Sequence, residues 1–198
     1  MTLSPGADVL LVAIWSICLF LVLCVVLVLI VISLRRPATT RLSVAAGLVV
    51  LALLIAAIAP VRVPSLMGVL VAILGITAAV LGGNPLTRHV LQIAAGDRVR
   101  ETDDGGIVLT ATEPDAATGA TRTLMRGGTV IGYLERLAAV LSILTGYPAA
   151  IAVIVAVKSV GRFSELAAAE ARERFIIGTM TSLLWSCAVG VLLRLAIG

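Results

Sequence analysis

VLLVAIWSICLFLVLCVVLVLIVI, from Val9 to Ile32, carries no charged residue from end to end. Coiled at 1.5 Å per residue it reaches roughly 36 Å, more than the ~30 Å hydrocarbon core of a bilayer. Leu34-Arg-Arg-Pro37 stops it with two cations and a helix-breaking proline. No basic residue precedes the run between Met1 and Asp8. That argues against a cleaved secretory signal and for a first helix that stays in the membrane.

The same logic repeats outward from this run. A second apolar segment extends from Leu42 to Ala59 and stops at Pro60, and a third extends from Leu66 to Leu81 and stops at Gly82-Gly83. Hydrophobicity returns over Val130–Leu144, breaks at Thr145-Gly-Tyr-Pro148, resumes over Ala149–Val157, and closes with a final span from Phe175 to about Ile197. The whole chain is 60% hydrophobic and 13% charged. A soluble domain is about 45–50% apolar and about 25% charged, so this chain must use lipid as solvent. The expectation is an all-α polytopic bundle with about six transmembrane helices and a central polar loop. Residues 128–166 read as a helical hairpin of two spans, with a re-entrant hairpin as the alternative.

Three regions follow: a three-span segment over 1–83, a polar segment over 84–127, and the hairpin with the last helix over 128–198. Asn84-Pro85 reads as an N-cap followed by proline at the first helical position, opening a short amphipathic helix over Leu86–Ala95. Ile107–Thr112 and Thr121–Met125 flank a turn-rich stretch and read either as a β-hairpin or as a loose loop. With an even number of spans, Arg35, Arg36, Arg41, the arginines of 84–127, Lys158, Arg162, Arg172 and Arg174 fall on one side, and only Arg62 and Arg194 on the other. By the positive-inside rule the rich side is cytoplasmic and both termini face outward.

Charge inside a bilayer needs a partner or a task. Glu135, Arg136 and Lys158 are the intramembrane candidates. Glu135 lies about 16 Å before the Gly146–Pro148 turn and Lys158 about 15 Å after it, so an antiparallel hairpin brings them to one depth. Arg136 sits level with them but about 100° around the helix, facing another neighbour or snorkelling to the surface. Arg162 is a further candidate partner for Glu135. Such a pair could line a polar path, or merely neutralise itself and fix helix register. Gly128, Gly132, Glu135, Ala139, Ser142 and Gly146 form one small or polar stripe, and Ala149, Ala152, Ala156 and Ser159 a second. Gly178, Ser182, Ser186 and Gly190 recur every fourth residue in the last span, the spacing of a close-packing face. The first helix, mostly Leu, Val and Ile, belongs at the lipid-facing edge.

Catalytic and cofactor signals are poor. His89 is the one histidine, and Cys18, Cys24 and Cys187 all lie in apolar runs, where packing explains them. No cofactor and no metal are expected. The basic residues are scattered among hydrophobic segments, so no nucleic-acid partner is expected either. Arg88, Arg98, Arg100, Arg122 and Arg126 could meet anionic headgroups, though interleaved acids weaken that reading.

Gly128-Thr-Val-Ile-Gly-Tyr-Leu-Glu-Arg136, Lys158-Ser-Val-Gly-Arg-Phe163 and Arg174-Phe-Ile-Ile-Gly-Thr179, in that order, resemble an uncharacterised family of bacterial, actinobacterial-like, integral membrane proteins. Those proteins share G-x-x-I-G-x-L-E-R, K-S/G-x-x-R-F/Y and I-G-T segments. The resemblance covers about Gly128–Trp185. It implies a shared membrane fold and carries no activity. The functional expectation is a scaffold or complex subunit of the bacterial cytoplasmic membrane, partnered by lipid and by itself or another membrane protein. The alternatives are a transporter or channel component using Glu135 and Lys158, and an interfacial enzyme acting on lipid.

Overall fold

The computed structural model describes residues 5–35, 39–58, 61–95, 128–161 and 169–198. Six helices account for nearly all of them: α1 (Pro5–Arg35), α2 (Thr39–Ile58), α3 (Ser65–Ala95), α4 (Gly128–Leu144), α5 (Ala150–Gly161) and α6 (Ala169–Ile197). Four of these, α1, α2, α3 and α6, are long and apolar enough to cross a membrane. Among the described residues the chain is thus an all-α helical membrane bundle. The expected β-hairpin, the bulk of the 84–127 loop and Arg162 lie outside the described residues.

Helix α3 differs from its sequence reading. It does not stop at Gly82-Gly83, nor does a separate helix open at Asn84-Pro85; one helix of 31 residues runs through all four. Glycine and proline are the weakest helix formers, and Pro85 removes the N–H that would bond the Leu81 carbonyl. Tertiary contacts override that local weakness. An added Cβ at Gly82 would stand 2.7 Å from the Trp185 indole nitrogen, and one at Gly83 would overlap the Arg136 side chain. The glycine pair is a slot into which two large side chains are seated.

Helices α3 and α6 form the centre and run antiparallel. Gly68 faces Ile197, Gly75 faces Leu193 and Gly82 faces Trp185, each too close for a Cβ without a shift. These glycines recur every seventh residue, the interval that keeps one seam of a helix on its neighbour. Small residues let helices approach where lipid supplies no hydrophobic drive. The Val63 amide donates to the Ala196 carbonyl at 2.8 Å, tying the start of α3 to the end of α6.

On one flank, α1 buries Ser16, Leu19, Leu23, Val26, Ile30 and Ser33 at steps of three and four against α2 and α3. Its other faces are exposed, as the edge position requires. On the opposite flank α4 runs parallel to α6 and packs on α3 as well. The α4–α5 turn follows from Gly146, whose φ of 79° is costly for any residue with a Cβ. Gly146 N–H donates to the Ile143 carbonyl at 3.1 Å and Tyr147 N–H to the Ser142 carbonyl at 2.8 Å. That pairing is the glycine-terminated helix end known as the Schellman motif.

Helix α5 has 12 residues, roughly 18 Å, short of a full span. None of its residues is buried. Of the expected small-residue stripe, Ala149, Ala152 and Ala156 are exposed and only Ser159 is half-buried. The better-covered residues are Ile151, Ile154, Val155 and Lys158, because the lysine must reach α4 and its own helical face follows it.

Candidate functional site

The polar residues of α4 gather one to two turns into the helix, where α3, α5 and α6 meet it. Arg136 is 2% exposed and among the largest fully buried side chains. Its Nε donates to the Val80 carbonyl at 2.8 Å, one terminal nitrogen to Ser182 Oγ at 2.9 Å, and the other to Asn84 Oδ1 at 2.8 Å. Its guanidinium carbon lies 5.2 Å from the Tyr133 ring centroid. All three acceptors are uncharged. Of the two expected fates for Arg136, the neighbour-facing one holds: it points into the α3–α6 junction. The Val80 carbonyl, already one turn before Asn84 in α3, uses its second lone pair here.

Trp185 repeats the device from α6. Its Nε1 donates to the Ala78 carbonyl at 3.2 Å. Two side chains from two helices therefore bond carbonyls of the α3 turn that leads into Gly82–Pro85, next to the Leu81 carbonyl that Pro85 deprives of its helical donor.

Glu135 points the other way around α4 and meets α5. Lys158 Nζ donates to Glu135 Oε2 at 2.5 Å, an ion pair across the hairpin. The lysine also lies 5.7 Å from the Phe175 ring centroid of α6. The second carboxylate oxygen, Oε1, is buried and has no hydrogen-bond partner among the described residues. Two adjacent residues thus serve two separate contacts, Arg136 to the core and Glu135 to the outer helix.

The depth of this layer can be estimated along α3. Val80 and Asn84 stand roughly 22–28 Å from the start of α3 at Ser65. Against a ~30 Å hydrocarbon slab beginning near Ser65, the layer lies close to the far boundary rather than at the centre. It lies at the end of the bundle shared by Arg88, Arg172 and Arg174.

The other expected site residues sort as follows. The Gly178–Ser182–Ser186–Gly190 face is covered within the chain: Gly178 approaches Thr87 and Leu91, and Gly190 approaches Ile143 and Val140. Ser186 Oγ donates to the Ser182 carbonyl at 2.9 Å, and Thr87 Oγ1 to the Gly178 carbonyl at 3.4 Å. Gly132 faces the Arg136 guanidinium, which an added Cβ would meet at 3.5 Å, an ordinary van der Waals contact. Gly128 starts α4. Sequence reading misses Asn84, Tyr133, Trp185 and the α3 glycines. The seven-residue interval of Gly68, Gly75 and Gly82 was the available signal.

Among the described residues no group of three His, Cys, Asp or Glu side chains could hold a metal ion. At the opposite end, Arg194 donates to the Ile143 and Leu144 carbonyls at 2.9 and 3.2 Å, covering the open end of α4. Comparison with protein-family models, with curated proteins and with solved structures finds no match.

Proposed function

We propose that this chain is a scaffold or subunit of a membrane complex in the bacterial cytoplasmic membrane, related to the membrane-protein family that its C-terminal third resembles. The observation that carries the reading is α5. It is apolar and has no buried residue, and it is pinned to α4 by the Lys158–Glu135 pair. Val153, Val157 and Val160 stand exposed along it. The small-residue face of α6, by contrast, is already occupied by α3 and α4. A partner helix, from a second copy or another membrane protein, therefore has α5 as its docking face. Affinity purification from gentle detergent tests this. A stable partner should co-purify with the wild type and be lost when Val153 and Val157 are changed to Asn. A lone, monodisperse monomer in both preparations sinks the reading.

A second reading, a transporter or channel component, is favoured by the buried Glu135 Oε1, which has no partner among the described residues. In a polar path this oxygen meets water or an ion. Glu135→Cys, in a background with Cys18, Cys24 and Cys187 replaced, should then react with a charged thiol reagent from either side of the membrane. Failure to react from both sides removes this reading.

The basic asymmetry supports an orientation with both termini outside and the Arg88 end cytoplasmic.

A further inference from the structure

Two arginines lie on the side of the bundle otherwise nearly free of basic residues. Arg62 is in the link between α2 and α3, and Arg194 is near the end of α6. The fold brings them to one pocket of about 640 Å³, whose remaining lining is Leu144, Val191, Leu195, Ile197 and Gly198. No acidic residue lines it. Among the described residues Arg62 has no hydrogen-bond partner, and Arg194 uses one terminal nitrogen on α4 carbonyls while its Nε and other terminal nitrogen have none.

We propose that this pocket binds the phosphodiester headgroup of an anionic phospholipid in the leaflet at the α6 C-terminal end. Three observations converge. First, two guanidinium groups with no Asp or Glu side chain among the pocket's lining residues present forked donors that match phosphate oxygens. Second, the apolar wall of Leu144, Val191, Leu195 and Ile197 suits glycerol and the first acyl methylenes, and gives nothing to a free anion. Third, the level is right: the pocket sits where α6 ends and α4 turns, at the boundary between hydrocarbon and headgroups. Basic pockets between membrane helices bind anionic headgroups at cytoplasmic faces, and the same donor chemistry is present at this opposite end. The site is independent of the scaffold reading and of the Glu135–Lys158 layer, which lies at the other end.

Native mass spectrometry of the full chain in non-ionic detergent, with added phosphatidylglycerol or phosphatidylcholine, tests the assignment. Phosphatidylglycerol should be retained and phosphatidylcholine should not. Arg62→Gln should weaken retention about tenfold, the effect of losing one charge-assisted contact. Arg62→Lys should restore part of it. Because Arg194 also covers the end of α4, Arg194→Gln is read only beside its melting temperature; Arg62→Gln decides. Equal retention of both lipids, no effect of Arg62→Gln, or equal thermal stabilisation by inorganic phosphate alone would overturn the proposal.

Discussion

Arg136 reaches from α4 to the main-chain carbonyl of Val80 on α3, at 2.8 Å, at the point where that helix is about to pass through two glycines and a proline. A cation on one helix thus reinforces the backbone of another. The same guanidinium bonds Ser182 on α6, so one side chain joins the three central helices.

Arg136→Lys keeps the charge but cannot span three acceptors in fixed directions. Hydrogen bonds between membrane helices contribute roughly 0.6–1 kcal/mol each, so losing the fork should cost about 2–3 kcal/mol. Arg136→Met should cost a similar amount, because the acceptors stay buried while the bonds vanish. Thermal unfolding in detergent measures both. A lysine variant as stable as wild type would mean that charge, not geometry, is what the site uses.

The glycines of α3 give a graded test. Gly75→Ala and Gly82→Ala should each lower the melting temperature, since the new methyl group meets Leu193 and Trp185 at 2.6 and 2.7 Å. Gly83→Ala should be worst in the wild type and milder beside Arg136→Ala, which vacates the clash. Gly47→Ala, with nothing within 4 Å, should be neutral or stabilising by up to about 1 kcal/mol from helix propensity. On α6, Gly190→Leu should be harmful where Val191→Leu, on an exposed position, is not. Equal tolerance at Gly75 and Gly47 would show that the seam is not closely packed.

Gly82-Gly83-Asn84-Pro85 reads locally as a stop and a new start, and every local propensity agrees. What keeps the helix going is Trp185 and Arg136, residues more than 50 positions away, whose arrival no local pattern announces. The Glu135–Lys158 contact was legible because a hairpin fixes depth by counting from its turn. The Gly178–Gly190 face was legible because a four-residue period is local information. Most of the α5 stripe faces outward because small residues mark where a helix can pack, not where its neighbour stands. Arg136's acceptors are two polar atoms and a carbonyl on other helices, and only the assembled bundle identifies them.

Orientation is tested by single cysteine reporters in a cysteine-free background. Pro64 and Tyr147 lie at the Arg194 end, and Arg88 at the opposite one. A membrane-impermeant thiol reagent added to intact cells should modify Pro64→Cys and Tyr147→Cys but not Arg88→Cys. Tyr147 carries the extra information, since its labelling shows that the α4–α5 turn reaches the outer surface. Labelling of Arg88→Cys alone would invert the topology.

Glu135 and Lys158 should show coupling in a double-mutant cycle. Breaking a fully buried pair costs about 3–5 kcal/mol, but Lys158 can snorkel when unpaired, so each single change, Glu135→Gln or Lys158→Met, should cost nearer 2 kcal/mol. The double change should cost less than the sum. The loss should be local. Because α5 has no buried residue, the pair is its main side-chain tether, and the single variants should raise amide exchange in 150–161 well before they lower the global melting temperature. The same variants separate the two functional readings. A double variant that regains α5 protection and partner capture assigns the pair a structural role. One that regains protection but loses a cellular activity assigns Glu135 a chemical one. Strictly additive effects, with α5 exchange unchanged, would show that the two side chains do not hold each other, and α5 would then owe its place to Ile151, Ile154 and Val155 alone.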